Sequence, residues 1–296
     1  MTNKYQGVYA VPCTAFTEGG AVDEAAMRKH LRFLLDEGGV HGIIPTGSTG
    51  EFAFLSPEER RMVVDITIDE VAGSVPVIAG AAGVSTRETI AYAQSAQAAG
   101  ADGVMVVSPY YGHPHQEELY RHFRDLAGSI DIPVMLYNNP GAAGVDIMPP
   151  LVARLAELEG IAAIKESTGE MQRVAEIMRL CGENIEVLCG CDTLPMEMFA
   201  LGVQGWVAAP SNVIPEQCVA LYELVAVKRD FEKGMELYFK LLPLFSMFES
   251  TGKYVQLAKA GLEMLGRPIG PPRQPLLPAT DEERRRLSAI LDDILG

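Results

Sequence analysis

At 296 residues, with 48% apolar side chains, the chain is long enough for one large domain or two ordinary ones with a full core. Its net charge of −15, with no basic cluster, argues against nucleic acid or an anionic membrane surface as a partner. No apolar run approaches the roughly 18 residues of a membrane span, and the first residues lack the apolar core of a signal peptide.

Short apolar runs alternate with amphipathic stretches along the chain. Strands are predicted at 8–13, 42–45, 75–79, 103–107, 133–137, 161–165, 185–188 and 205–209, each followed by a helix-like segment. Ser56-Pro57-Glu58-Glu59 places a capping serine before a proline and an acid at the capping-box position, and Ser85-Thr86-Arg87-Glu88 repeats the cap and acid spacing. Gly100 and Gly202 close helices with a residue free to turn left-handed. Eight strand–helix units suit a (β/α)8 TIM barrel better than an open doubly wound sheet. No Gly-x-Gly-x-x-Gly follows the first strand, which counts against a dinucleotide fold.

Beyond the eighth unit the pattern is helical, over 231–248, 253–265 and 281–295, with a proline-rich connector at 268–278. The expected division is a catalytic barrel over 1–228 and a C-terminal helical appendage over 229–296. The five cysteines, Cys13, Cys181, Cys189, Cys191 and Cys218, are odd in number and scattered, as expected of reduced core thiols in a cytoplasmic protein. No second pair of ligands stands near Cys189-x-Cys191, which disfavours a metal site there. His113-Pro114-His115 reads as loop surface, and no metal is expected.

In such a barrel, chemistry gathers where strands end. The second strand runs into Thr46-Gly47-Ser48-Thr49-Gly50-Glu51, whose hydroxyls and exposed amides suit a small carboxylate; the same residues would also serve as a plain turn with helix caps. The fourth runs into Ser108-Pro109-Tyr110-Tyr111 and the fifth into Tyr137-Asn138-Asn139-Pro140, where a phenol is either packing or a proton carrier. The sixth, Ile161-Ala162-Ala163-Ile164-Lys165, ends in a lysine. Desolvation there disfavours the ammonium and frees the amine as a nucleophile. The competing reading is a surface lysine paired with Glu166. An amine, a phenol and a carboxylate-binding loop at one barrel mouth describe imine chemistry on a 2-oxo acid. No metal or nucleotide cofactor is required, because an iminium supplies its own positive charge.

These segments together resemble the dihydrodipicolinate synthase / N-acetylneuraminate lyase family over nearly the whole chain. Gly42-Ile43-Ile44-Pro45-Thr46-Gly47-Ser48-Thr49-Gly50-Glu51 is similar to one family signature, and Tyr137-Asn138-Asn139-Pro140 with Ile164-Lys165-Glu166-Ser167 to another. The resemblance implies a TIM barrel in which Lys165 forms the Schiff base and Tyr137 relays protons. It implies that Ser48 and Thr49 bind the substrate carboxylate, Ser48 standing where the family commonly has threonine. It implies that Tyr111 reaches a neighbouring subunit's site, that Gly190 and Val207 line the pocket behind the lysine, and that the protein is a homotetramer built as a dimer of dimers. Two departures bear on substrate. Ala142 stands where dihydrodipicolinate synthases carry an arginine for the second substrate's carboxylate, and Thr193 where sialic acid lyases carry a glutamate. The Tyr137-to-Gly141 and Lys165-to-Gly169 strings and Gly190-Cys191-Asp192 look closer to relatives that dehydrate or deaminate 2-keto-3-deoxy acids or hydroxy-pyrroline carboxylates. Asp192 is then a contact for a substrate hydroxyl or, alternatively, a helix N-cap. The expected function is a Schiff-base lyase acting on a 2-oxo acid, with 4-hydroxy-tetrahydrodipicolinate synthase and a non-catalytic keto-acid-binding barrel as alternatives.

Overall fold

The computed structural model describes residues 5–296. Eight parallel strands form one sheet: β1 Gly7–Ala10, β2 Gly42–Ile43, β3 Ile78–Gly80, β4 Gly103–Val107, β5 Val134–Asn138, β6 Ile161–Glu166, β7 Glu186–Cys189 and β8 Gly205–Ala208. Their order is β2-β1-β8-β7-β6-β5-β4-β3. A parallel bridge between Ile43 and Val77 joins the two ends and closes the barrel. The eight expected strands are all present, with ends displaced by up to three residues.

Alternation along each strand sorts side chains into two cores. Val104, Val106, Val134, Leu136, Ile164 and Trp206 face the helices. Met105, Val107, Met135, Tyr137, Ala163, Leu188 and Val207 face the barrel interior. Lys165, two residues after Ala163, shares that inward face. Val107, Tyr137, Lys165 and Leu188 are successive register partners across β4 to β7, so they are lateral neighbours on the inner face of the sheet.

The helix signals act as their chemistry requires. Ser56 Oγ accepts from Glu59 N at 3.2 Å while Glu59 Oε2 accepts from Ser56 N at 2.8 Å, completing the capping box. Three helices follow the barrel, Phe231–Thr251, Tyr254–Met264 and Asp281–Leu295. The first packs on β8 through Phe245, whose ring centre is 5.5 Å from that of Trp206. No helix among the described residues is long and apolar enough to cross a membrane.

Candidate active site

A cavity of about 590 Å³ opens at the C-terminal ends of the strands. Ser48, Thr49, Tyr137, Lys165, Gly190, Asp192 and Val207 all line it. Seven of the eight expected site residues therefore meet in one chamber. Tyr111 does not line it: the residue is 86% exposed on the loop after β4.

Lys165 is buried, and its Nζ lies 4.3 Å from the centre of the Tyr137 ring. No carboxylate among the described residues forms a salt bridge with it. Glu166, the neighbour expected to pair with it on a surface, instead accepts from Asn138 Nδ2 at 3.0 Å and from Thr168 N at 2.8 Å. Burial raises the Glu166 carboxyl above its ordinary range, against those hydrogen bonds. Asn138 also donates to Asp146 at 3.0 Å, and Asp146 takes two bonds from Arg173 at 2.7 and 3.0 Å. This network ties the ends of β5 and β6 together and fixes the level at which Tyr137 and Lys165 sit.

Gly190 is glycine because of close approach. A Cβ there would fall 2.1 Å from Ser167 Oγ and 2.8 Å from Lys165 Cγ. The absent side chain makes room for the lysine stem.

The loop after β2 is held under backbone strain. Thr46 and Glu51, at its two ends, are non-glycine residues with φ of 54° and 61°, and both are buried. Thr46 Oγ1 donates to Gly80 O at 2.9 Å and Thr14 Oγ1 to Gly50 O at 2.6 Å. Glu51 Oε1 lies 2.7 Å from Lys259 Nζ, and Glu51 Oε2 accepts from Arg273 N at 2.8 Å. Lys259 Nζ and Arg273 Cζ also lie 4.4 and 4.2 Å from the centre of the Phe16 ring. Burial lowers the Lys259 ammonium below its ordinary value, opposed by Glu51. The C-terminal helices and their connector thus brace the loop that carries Ser48 and Thr49.

Asp192 is not a helix cap. The helix Pro195–Leu201 has Leu194 at its N-cap, while Asp192 Oδ1 accepts from Trp206 Nε1 at 3.0 Å. Burial first, and Glu249 second, push its carboxyl up to about 8, so at neutral pH it carries a proton. Glu249 Oε1 in turn accepts from Asp192 N at 2.7 Å. Burial, Asp192 and Glu249 together raise the Tyr254 phenol. Glu249 and Tyr254 also line the cavity. The sequence does not single them out: Tyr254 falls in a segment that reads only as helix, and Glu249 lies just past the expected end of the helix before it. Asn139 and Ser167, also in the lining, lie inside the quoted strand-end motifs but carried no reactive signature. Lys165 is the one cationic side chain among the described residues lining the cavity, and Ala142 stands at its edge. Among the described residues no three His, Cys, Asp or Glu side chains converge as metal ligands would.

The model of the dihydrodipicolinate synthetase family matches residues 4–294. The 4-hydroxy-tetrahydrodipicolinate synthase of Pelobacter propionicus is 39% identical over 288 residues, 97% of this chain and 98% of that one. That of Nitrobacter hamburgensis is 41% identical over 278 residues, covering 94% and 92%. Among solved structures, dihydrodipicolinate synthase from Aquifex aeolicus superposes with a TM-score of 0.93 at 35% identity, over 97% of both chains. The chloride-inhibited enzyme from Acinetobacter baumannii, complexed with pyruvate, gives 0.94 at 31% identity, over 98% of this chain and 99% of that one. A barrel of this closure, a buried lysine at the end of β6 and full-length relatives at these identities agree: the chain belongs to the dihydrodipicolinate synthetase family, and is a lyase working through a lysine Schiff base.

Proposed function

We propose that this lyase acts on a 2-oxo acid whose far end carries hydroxyl groups rather than a second carboxylate, a 2-keto-3-deoxy-type acid or a hydroxy-pyrroline carboxylate. One observation carries the reading. The cavity wall offers Asp192, Glu249 and Tyr254 to the distal part of a substrate, and no guanidinium. A distal carboxylate would find carboxyl groups and a phenol but no cation to pair with, whereas a hydroxyl finds both donors and acceptors.

The substrate carboxylate docks on the amides and hydroxyls of Ser48 and Thr49. The Lys165 amine adds to the ketone carbon. Tyr137 carries a proton to the carbinolamine oxygen, which leaves as water, and the iminium forms. The iminium withdraws electrons from the adjacent carbon. Loss of a C3 proton gives an enamine, and expulsion of a C4 hydroxyl as water or of an amine completes an elimination. Cleavage of the C3–C4 bond is the aldol variant. Water then releases the product and regenerates the amine.

Pyruvate bound in the Acinetobacter enzyme supports 2-oxo acid recognition in this family. The printed names of the relatives support a second reading, 4-hydroxy-tetrahydrodipicolinate synthase, which joins pyruvate to aspartate semialdehyde. Ala142 weighs against it. We further propose a homotetramer in which exposed Tyr111 enters a partner's site, and a cytoplasmic location in keeping with five free cysteines. A panel of 2-keto-3-deoxy acids, hydroxy-pyrroline carboxylates, and pyruvate with aspartate semialdehyde, read by product mass, tests the proposal. Elimination or cleavage products from the first two classes support it. Turnover confined to the third overturns it in favour of the second reading.

A further inference from the structure

Asn139 follows β5 by one residue and reaches back to the phenol two positions before it. Its Nδ2 lies 3.0 Å from Tyr137 Oη. Its Oδ1 accepts from Ala142 N at 3.0 Å, as the cap of the short turn Pro140–Ala143. That second bond settles the orientation of the amide. A backbone N–H can only donate, so the carbonyl oxygen must face Ala142 and the NH2 must face the phenol. Asn139 is half-buried and lines the same cavity as Tyr137 and Lys165.

We infer that Asn139 is a positioning residue for proton transfer, its amide N–H donating to Tyr137 Oη from within the same chain. A phenol has one hydrogen to give and two lone pairs to receive with. With Asn139 on one lone pair, the hydroxyl hydrogen is turned away from the amide and left for the reacting centre. When the phenol releases its proton, the N–H stays in place, and a bond to an anionic oxygen is stronger than one to a neutral hydroxyl. The donor therefore helps most at the moment of transfer, which is what raises kcat rather than binding. This inference rests on the reading of Tyr137 as proton carrier to a Lys165 imine.

Two substitutions separate this role from the capping role. Asn139→Ser keeps a good N-cap for the turn but is too short to reach the phenol. Asn139→Asp is near-isosteric, keeps the acceptor for Ala142 N and loses the donor. Both are expected to lower kcat about tenfold, the size of one such hydrogen bond, with KM changed less than about twofold. In a Tyr137→Phe background neither should lower kcat further. Wild-type kcat in both variants, or an equal loss with and without the Tyr137 hydroxyl, overturns the inference. If Asn139→Ser melts at a lower temperature than wild type, the Asn139→Asp comparison decides. Borohydride trapping of pyruvate on wild-type Lys165 is run alongside. No adduct there refutes the imine reading itself, whereas an adduct with unaltered variant kinetics refutes Asn139 alone.

Discussion

Lys259 Nζ and Glu51 Oε1 meet 2.7 Å apart with side chains 4% and 0% exposed, joining the C-terminal helix Tyr254–Met264 to the strained end of the Ser48–Thr49 loop. A buried pair of this kind is costly to break from one side, because the remaining charge is left without a partner. Lys259→Met should destabilise the protein by about 3–5 kcal/mol. It should also raise KM for pyruvate as the loop relaxes. Adding Glu51→Gln to Lys259→Met should recover much of the stability, measured by chemical denaturation. An unchanged midpoint in the single variant would contradict the bracing role.

Asp192 gives the stability a pH dependence of definite sign. Its carboxyl titrates at about 8 in the folded chain and at 3.8 as a free side chain. From about pH 4 to pH 8 the unfolded chain has released a proton that the folded chain still holds. The folded state therefore loses stability as pH rises through this window, and the cost is complete above it. Asp192→Asn removes the ionisation while keeping an oxygen for Trp206 Nε1. Its melting temperature should exceed wild type by a few degrees at pH 9, and the gap should close near pH 4. If Asp192 contacts a substrate hydroxyl, as proposed, turnover should fall as well.

Gly190→Ala tests how tightly the lysine stem is packed. The new methyl would overlap Ser167 Oγ and Lys165 Cγ, at 2.1 and 2.8 Å. The side chains must shift, and a displacement of about 1 Å at a reacting nitrogen costs on the order of 10²-fold in rate. Circular dichroism should show an intact fold, and pyruvate trapping on Lys165 should slow markedly. Wild-type trapping kinetics would mean that the stem has room to spare.

Ala142→Arg tests the substrate assignment directly. The position lines the cavity, and a guanidinium there could hold a second carboxylate through two hydrogen bonds. Condensation of pyruvate with aspartate semialdehyde should rise, while processing of hydroxylated 2-oxo acids should fall. If the variant gains nothing with aspartate semialdehyde, the missing arginine is not what sets the preference.

Much of this is legible in the sequence. The apolar runs fixed the count and order of the strands, because strands buried on both faces carry continuous Val, Ile, Leu and Ala. Lys165 stood out as an ammonium at the end of such a run. Strand ends were less legible. Val75 was expected to start β3, yet the strand begins at Ile78, because Val77 forms only the single closing bridge to Ile43. Glu249 and Tyr254 were invisible, since helical spacing does not say that the end of one late helix and the start of the next look into a barrel mouth. Asn139 was quoted within a motif and given no role. Its meaning lies in a hydrogen bond back to Tyr137, which depends on the turn geometry that follows. Tyr111 remains a residue whose expected role needs a second subunit, and its exposure in one chain is consistent with that.

The most direct measurement is mass spectrometry of the protein reduced with borohydride in the presence of pyruvate, with peptide mapping. The account predicts one adduct, on Lys165, absent from Lys165→Ala and formed more slowly, by on the order of 10²-fold, in Tyr137→Phe. An unmodified Lys165 under conditions of full turnover, or an adduct carried by a different lysine, would contradict it.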